Sequence, residues 1–463
     1  MSKSFNRKTV TKRPKVENEI KMLSKIGYTL ESAISDIVDN SVTAEAKKIS
    51  ITCPPGAENI FWSITDDGYG MSPEELQESM VIGCKDPAEE RDKMDLGRFG
   101  SGLKTASLSQ AKVLTVISKK KGKPISGASW NVERIIKEND WVLEILSEEE
   151  CKSLDNLEIS SNLSSSGTQI IWEKMERYDD TDHQDLETEI SSDISSIKKH
   201  LSLYFHKFIE GKEKINFFVN QDMLLPIDPF MKKLAGYQEG EEETMRQGLS
   251  KISIKSHTIP HWNRLSKEKL DEYGGSEEIS KKQGLYLYRG NRLIIEGGWL
   301  GLTTNNKLND LARVEINIPV ELDNLWEVDV KKSSLQIPRK VKILLKEILK
   351  TPTKRSKKTY TYRGKEESKK YWIKREDERE KIITFEVRSD NDDLLKLLSS
   401  LNSPQKKGFA KYLRNLSADL PVEDILATLH SRPLDVKQEH VMEKYPQAEK
   451  IFLDFFKKKT KSE

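Results

Sequence analysis

The sequence predicts an α+β protein. Apolar residues recur at helical intervals up to about residue 46, and short β-rich runs punctuated by glycine, proline and lysine turns follow to Trp172. Ile20, Leu23 and Ile26, then Leu30, Ile34, Ile37 and Val38 after Gly27, mark a helical face within Val16 to Ala46. Ile49–Thr52 and Ile60–Ile64 read as strands split by Pro54-Pro55-Gly56. Val113–Ser118 and Ser129–Val132 flank Lys119-Lys120-Lys121-Gly122-Lys123 as a hairpin, and Thr168–Trp172 reads as a further strand. Helix, two strands, flexible loop, helix and more strands make one sheet with helices on one face.

At 463 residues the chain has room for roughly three domains. We read residues 1–18 as a basic arm, 19–192 and 193–348 as two folded domains, 349–370 as a basic linker, and 371–463 as an α-rich unit. The second domain should hold a helix at Ile197–Phe208 and strands at Ile215–Val219, Gly284–Tyr288, Arg292–Ile295 and Arg313–Ile318. The last should hold a strand at Ile382–Val387 and helices at Asp392–Leu401, Gln405–Leu416 and Val422–His430.

Hydrophobic residues make up 36% of the chain and charged ones 33%, enough for ordinary cores under a very hydrated surface. No apolar run reaches membrane-span length and the start has no apolar signal core, so the expectation is a cytoplasmic protein without a membrane partner. Cys53, Cys84 and Cys151 are too scattered for a disulfide framework or zinc site. Net charge is only +2, yet Lys119–Lys123, Lys354–Lys358 and Lys457–Lys459 concentrate positive charge. Each alone is a solvated turn, linker or tail; on one face they would make a phosphate-backbone footprint.

Four segments carry the chemistry. Asp36 and Asn40 lie four apart on the first helical run and share a face. A carboxamide there suits a hydrated magnesium ion, and a carboxylate suits orientation of an attacking water. Asp66-Asp67-Gly68-Tyr69-Gly70-Met71 follows a strand; its glycines allow close approach of a flat ligand, and Asp66 is placed to accept from an exocyclic amine. Gly97-Arg98-Phe99-Gly100-Ser101-Gly102-Leu103-Lys104 opens a helical run, where backbone N–H groups and a lysine suit phosphates. Leu103 between Gly102 and Lys104 excludes a Walker A loop. Gly167-Thr168 comes last. Taken singly, the first three also fit a polar helix face, an ordinary Asp-Gly turn and a mobile surface loop.

Together and in this order the segments resemble the GHKL ATPases: gyrase-type topoisomerases, ninety-kilodalton heat-shock chaperones, MutL, histidine kinases and the MORC proteins. The resemblance implies a Bergerat α/β sandwich for the first domain and a ribosomal-protein-fold-like transducer for the second. It implies ATP and Mg²⁺ as cofactors, Asn40 on magnesium, Asp66 on the adenine amine, and Gly68, Gly70 and Met71 along the purine. Gly97, Arg98, Phe99, Gly100, Ser101, Gly102, Leu103 and Lys104 go to the phosphates, and Thr168 to the network around Asp66. Asp36 stands where the family has a catalytic glutamate, with a reach about 1.5 Å shorter. Thr43-Ala44 replaces the usual Asp-Ala.

No histidine precedes the motifs, which argues against a histidine kinase. Tyr288–Ile294 and Trp326–Ser333 are similar to phrases in bacterial MORC-like proteins, a group linked to restriction and phage defence. In the dimeric branch a transducer lysine contacts the γ-phosphate, and Lys331 or Lys332 is the choice here; an exposed lysine pair is the plain alternative. The implied protein is a slow ATPase that closes as a homodimer on DNA, with a nuclease, helicase or methyltransferase as further partners. A chaperone acting on protein clients, a MutL-like repair ATPase and a nucleotide-binding switch without turnover are the alternatives.

Overall fold

The computed structural model describes residues 15–25, 27–54, 60–81, 102–155, 166–179, 183–247, 250–303, 309–320, 339–349, 372–377, 382–387 and 390–419. The chain divides into two compact units: residues 1–259, 284–303 and 313–348, and residues 260–283, 304–312 and 349–463.

The first unit opens with helix α1 (Val16–Ser24), a break at Gly27, where φ is +76°, and helix α2 (Leu30–Thr43). Thr29 and Ser32 form a reciprocal capping box that fixes where α2 begins. Strands β1 (Lys48–Thr52) and β2 (Phe61–Asp66) follow, then helix α3 (Pro73–Met80), started by a Ser72/Glu75 capping box. Helix α4 (Gly102–Leu108) precedes the hairpin of β3 (Val113–Lys119) and β4 (Ser126–Asn131). Asn131 ends β4 by capping helix α5 (Val132–Glu138), so Val132 begins a helix where the sequence pattern continues the strand. Strand β5 (Glu144–Leu146), helix α6 (Glu148–Asp155) and strand β6 (Gly167–Glu173) complete this run.

Helices α7 (His183–Tyr204) and α8 (His206–Glu210) lead into β7 (Asn216–Val219) and β8 (Asp222–Met223). These two strands join the first sheet, whose order is β5-β4-β3-β6-β2-β1-β7-β8. Every pairing in it is antiparallel except β1 with β7, so the sheet continues past residue 192. One face carries the main core: Ile34, Ile37 and Val38 of α2 pack with Ile49, Trp62, Ile64, Leu114, Ile170, Trp172 and Phe217 of the strands. The other face holds a smaller cluster of Ile117, Ile171 and Cys151 of α6.

A second sheet in the same unit has the order β12-β11-β13-β10-β9, from β9 (Gln238–Gln247), β10 (Ser250–Thr258), β11 (Gly284–Arg289), β12 (Arg292–Glu296) and β13 (Ala312–Ile318). The sequence pattern anticipates β11, β12 and β13 but not β9, whose Gln238-Glu239-Gly240-Glu241-Glu242-Glu243 has no β signature. As the edge partner of β10, β9 needs only its backbone to pair, and edge charge guards against stray pairing.

In the second unit, Trp372–Asp377 pairs antiparallel with Ile382–Val387, and helices Asp392–Ser400 and Ser403–Ala418 follow. The expected helix Val422–His430 and the basic segments Lys354–Lys358 and Lys457–Lys459 lie outside the described residues. Among the described residues no helix is long and apolar enough to cross a membrane.

Candidate functional site

Three neighbouring strands, β2, β6 and β3, present matched rows on the helix-covered face. Trp62, Trp172 and Leu114 form one row, and Ile64, Ile170 and Val116 the next. The alternation then reaches Asp66, Thr168 and Ser118, which lie side by side in register. An apolar core thus ends in a polar floor. Ser41, on the buried side of α2, donates from Oγ to Asp66 Oδ2 at 2.8 Å, and Gly68 N–H donates to Oδ1 at 2.9 Å. Ser118 Oγ lies 2.9 Å from Thr168 Oγ1 and accepts from Met71 N–H at 2.9 Å. One hydroxyl therefore joins the end of β3, the Gly-Thr pair and the end of the Asp-Gly-Tyr-Gly turn.

That turn is held against its neighbours. Asp67 Oδ1 accepts from the backbone N–H of Lys47 and Lys48 at 2.7 and 2.8 Å, fixing the chain where β1 starts. Tyr69 N–H donates to the Ala44 carbonyl at 3.0 Å. A Cβ at Gly68 would lie 2.6 Å from the Ala44 oxygen, and one at Gly70, where φ is +66°, would lie 1.9 Å from the Lys119 oxygen. Both glycines are thus required by the chain's own packing, in addition to any ligand. The lysine turn of the β3–β4 hairpin sits beside this loop, with Lys120 paired to Glu75 of α3 at 2.6 Å.

Asp66 is only 6% exposed, and burial raises its pKa above the ordinary carboxylate value. The Gly68 N–H, the Ser41 hydroxyl and the Thr168 backbone oppose that rise, and none of them is charged. A buried carboxylate served by neutral donors fits one more donor, such as the exocyclic amine of a purine. On α2, Asp36 is half-buried and accepts from Tyr28 Oη at 2.9 Å, while Asn40, one turn on, is exposed. Among the described residues no group of three or more His, Cys, Asp or Glu side chains is arranged around a metal ion. An exposed amide oxygen at Asn40 fits magnesium that takes most of its ligands from phosphates and water.

Helix α4 packs on α2 and brings Gly102, Leu103 and Lys104 to the same side of the sheet. Lys104 is 1% exposed, and its Nζ donates to the Val81 carbonyl, just after α3, at 2.7 Å. Gly97, Arg98, Phe99, Gly100, Ser101, Lys331 and Lys332 lie outside the described residues. Asp66, Gly68, Met71 and Thr168 are joined through hydrogen bonds that include Ser41 and Ser118, Gly70 lies in the same turn, and Asp36 and Asn40 lie on the helix that also supplies Ser41. The sequence reading passed over Ser41, Ser118 and Tyr28. Ser118 had a signal: it ends the Leu114, Val116 alternation with a hydroxyl, as Thr168 ends that of Trp172 and Ile170.

Comparison with known proteins agrees with this arrangement. Residues 28–168 match the family described as "Histidine kinase-, DNA gyrase B-, and HSP90-like ATPase". Over 91 residues the chain is 31% identical to ATPase morc-1 of Caenorhabditis elegans, an alignment covering 20% of this chain and 10% of that protein. The chain thus spans about a tenth of the length of that relative. The matched segment starts at Tyr28 and ends at Thr168, so it contains all four motifs and the polar floor between them. Residues 28–168 thus match a GHKL-type ATPase domain, and the similarity to ATPase morc-1 supports a MORC-like relationship.

Proposed function

We propose that this chain binds ATP with Mg²⁺ and hydrolyses it slowly, and that nucleotide binding drives closure of a homodimer on DNA. The observation that carries the nucleotide reading is the row Asp66, Thr168 and Ser118 tied to Ser41 of α2. In this reading Asp66 accepts from the adenine amine, Thr168 and Ser118 hold Asp66 and Met71 in place, and Gly68 and Gly70 let the turn lie flat. Asn40 would hold magnesium, which when bound neutralises charge on the phosphates. Asp36 orients the attacking water, and Tyr28 fixes its carboxylate, offsetting the shorter side chain by holding it in one rotamer.

Gly97, Arg98, Phe99, Gly100, Ser101, Gly102, Leu103 and Lys104 are assigned to the phosphates, and Lys331 or Lys332 to the γ-phosphate. Lys104 Nζ, which donates to the Val81 carbonyl, has further N–H donors to offer a phosphate. The DNA partner, a nuclease, helicase or methyltransferase partner and a role in restriction or phage defence rest on the MORC-like resemblance and the lysine-rich segments. Nucleotide titration and phosphate release test the first part. Asn40→Ala should abolish binding, and Asp36→Ala should bind but not turn over. A wild-type chain that binds no ATP overturns the reading. Turnover stimulated by DNA and weakened by salt supports the clamp; stimulation by unfolded protein instead replaces it with a chaperone.

A further inference from the structure

Asp39, the residue just before Asn40 on α2, is buried and carries an ion pair of its own. Its Oδ1 accepts from Arg292 Nε at 3.0 Å, with side chains only 5% and 4% exposed. Arg292 is the first residue of β12, at the end of a hairpin closed by Gly290 and Asn291. Both turn residues have positive φ, +53° and +71°, the signature of a tight two-residue turn that fixes strand register. The guanidinium is gripped elsewhere too. Its Cζ lies 4.2 Å from the Phe205 ring centroid and 5.2 Å from that of Tyr204, and Nη1 donates to the Leu293 carbonyl at 2.6 Å. A planar fork held by a carbonyl, two aromatic faces and a carboxylate has little freedom to turn.

We infer that Arg292 is a positioning residue: through Asp39 it sets the rotation of α2, and with it the placement of Asp36 and Asn40, from the second sheet. This rests on the reading that α2 serves a nucleotide. A buried ion pair is a poor source of stability compared with apolar side chains of the same volume, which makes a geometric role the better account of its presence. The connection is also short. Asp39 is bonded to Asn40 in the chain, and the hairpin bearing Arg292 belongs to the sheet that also holds β11 and β13. A movement of that hairpin therefore reaches the nucleotide helix through one side-chain contact.

Two variants of the full chain test this. Arg292→Lys keeps the charge but loses the fork and the stacking. The pair Asp39→Leu with Arg292→Met replaces the contact by apolar packing. Both should keep wild-type melting, while kcat falls about 10- to 100-fold, the scale of a small displacement of reacting groups, and ATP affinity falls with it as far as Asn40 is displaced. Turnover within twofold of wild type in both variants would overturn the inference, leaving the pair as packing alone. A fall in melting temperature large enough to account for the lost turnover, or failure of both variants to fold, would overturn it as well, since the pair would then serve folding as such. A wild-type protein without ATP binding or turnover defeats the nucleotide reading instead, and is seen before any variant is made.

Discussion

Asp66 in the first sheet and Glu315 in the second are both buried strand carboxylates, but their surroundings answer burial in opposite ways. Asp66 is met by a hydroxyl and backbone N–H groups, and burial raises its pKa. Burial pushes Glu315 up as well, but the His257 hydrogen bond and the charges of Lys207 and Lys232 more than reverse it, holding the carboxyl well below the usual range. Lys207 Nζ lies 2.7 Å and His257 Nε2 3.1 Å from its oxygens, and Asn317 adds a donor at 3.2 Å. A carboxylate compensated by cations inside the protein is a structural centre. One left with neutral donors holds its charge at a cost, and a ligand that brings a further donor recovers part of that cost.

The largest expected effect falls on the cation-rich centre. Glu315→Ala leaves Lys207 and His257 facing each other in a buried site and should cost about 3–5 kcal/mol. A thermal melt reads this as a large fall in transition temperature; an unchanged melt would show that Glu315 is no hub. The pH dependence has a definite sign. Because the folded state holds the Glu315 pKa down, its stabilisation is present above the ordinary glutamate pKa and is lost as pH falls through the depressed folded value. The raised Asp66 pKa acts the other way: its cost to the folded state is full above the raised folded value and is relieved as pH falls through it.

The next effect separates binding from stability. Asp66→Ala should weaken ATP binding about 10- to 100-fold, the equivalent of the roughly 1.5–3 kcal/mol of a hydrogen bond to a charged group. Asp66→Asn should also weaken it while raising the melting temperature without nucleotide, because the neutral amide removes the buried charge and the Ser41 hydroxyl can reverse to accept. If Asp66→Asn lowers the melting temperature, the contrast with Glu315 fails.

Two glycines sharpen the same contrast between what the fold requires and what a ligand requires. Gly70→Ala sets a Cβ at positive φ against the Lys119 carbonyl and should cost about 1–2 kcal/mol or more of stability. At Gly102, at the start of α4, an added Cβ meets nothing within 4 Å among the described residues. Gly102→Ala should therefore leave the melt unchanged or raise it by up to about 1 kcal/mol, so any loss of ATP affinity there reports the ligand alone. A loss of stability at Gly102 would remove that distinction.

How much of this was legible in the sequence follows from where each signal originates. Helix α2, the β3–β4 hairpin and β6 were readable because their apolar periods and turn residues are local. Asp66 and Thr168 were readable because motif order carries them, and their adjacency in register is what the sheet adds. Ser41 gave no usable signal, since a serine on a helix is ordinary until the strand below it is known. Arg292 and Asp39 are 253 residues apart, and nothing local in either marks the other. Strand β9 was missed because an edge strand pairs through its backbone, so its acidic side chains carry no β preference.

The smallest expected effect concerns the substitution of aspartate for the family's glutamate. Tyr28 lies just before the Thr29 cap of α2, and its main-chain carbonyl accepts from Gln110 Nε2 at 3.3 Å. The phenol is thereby anchored from both the capped helix start and the residue beyond α4 while it donates to Asp36 at 2.9 Å. Tyr28→Phe deletes that single donor without altering the ring packing. Loss of one such bond is worth about 0.5–1.5 kcal/mol, so kcat should fall roughly 2- to 10-fold with ATP affinity unchanged. Asp36→Glu in the Tyr28→Phe background separates reach from orientation: recovered turnover means that the tyrosine offsets the shorter side chain, and no recovery means that orientation by the phenol is what this site requires.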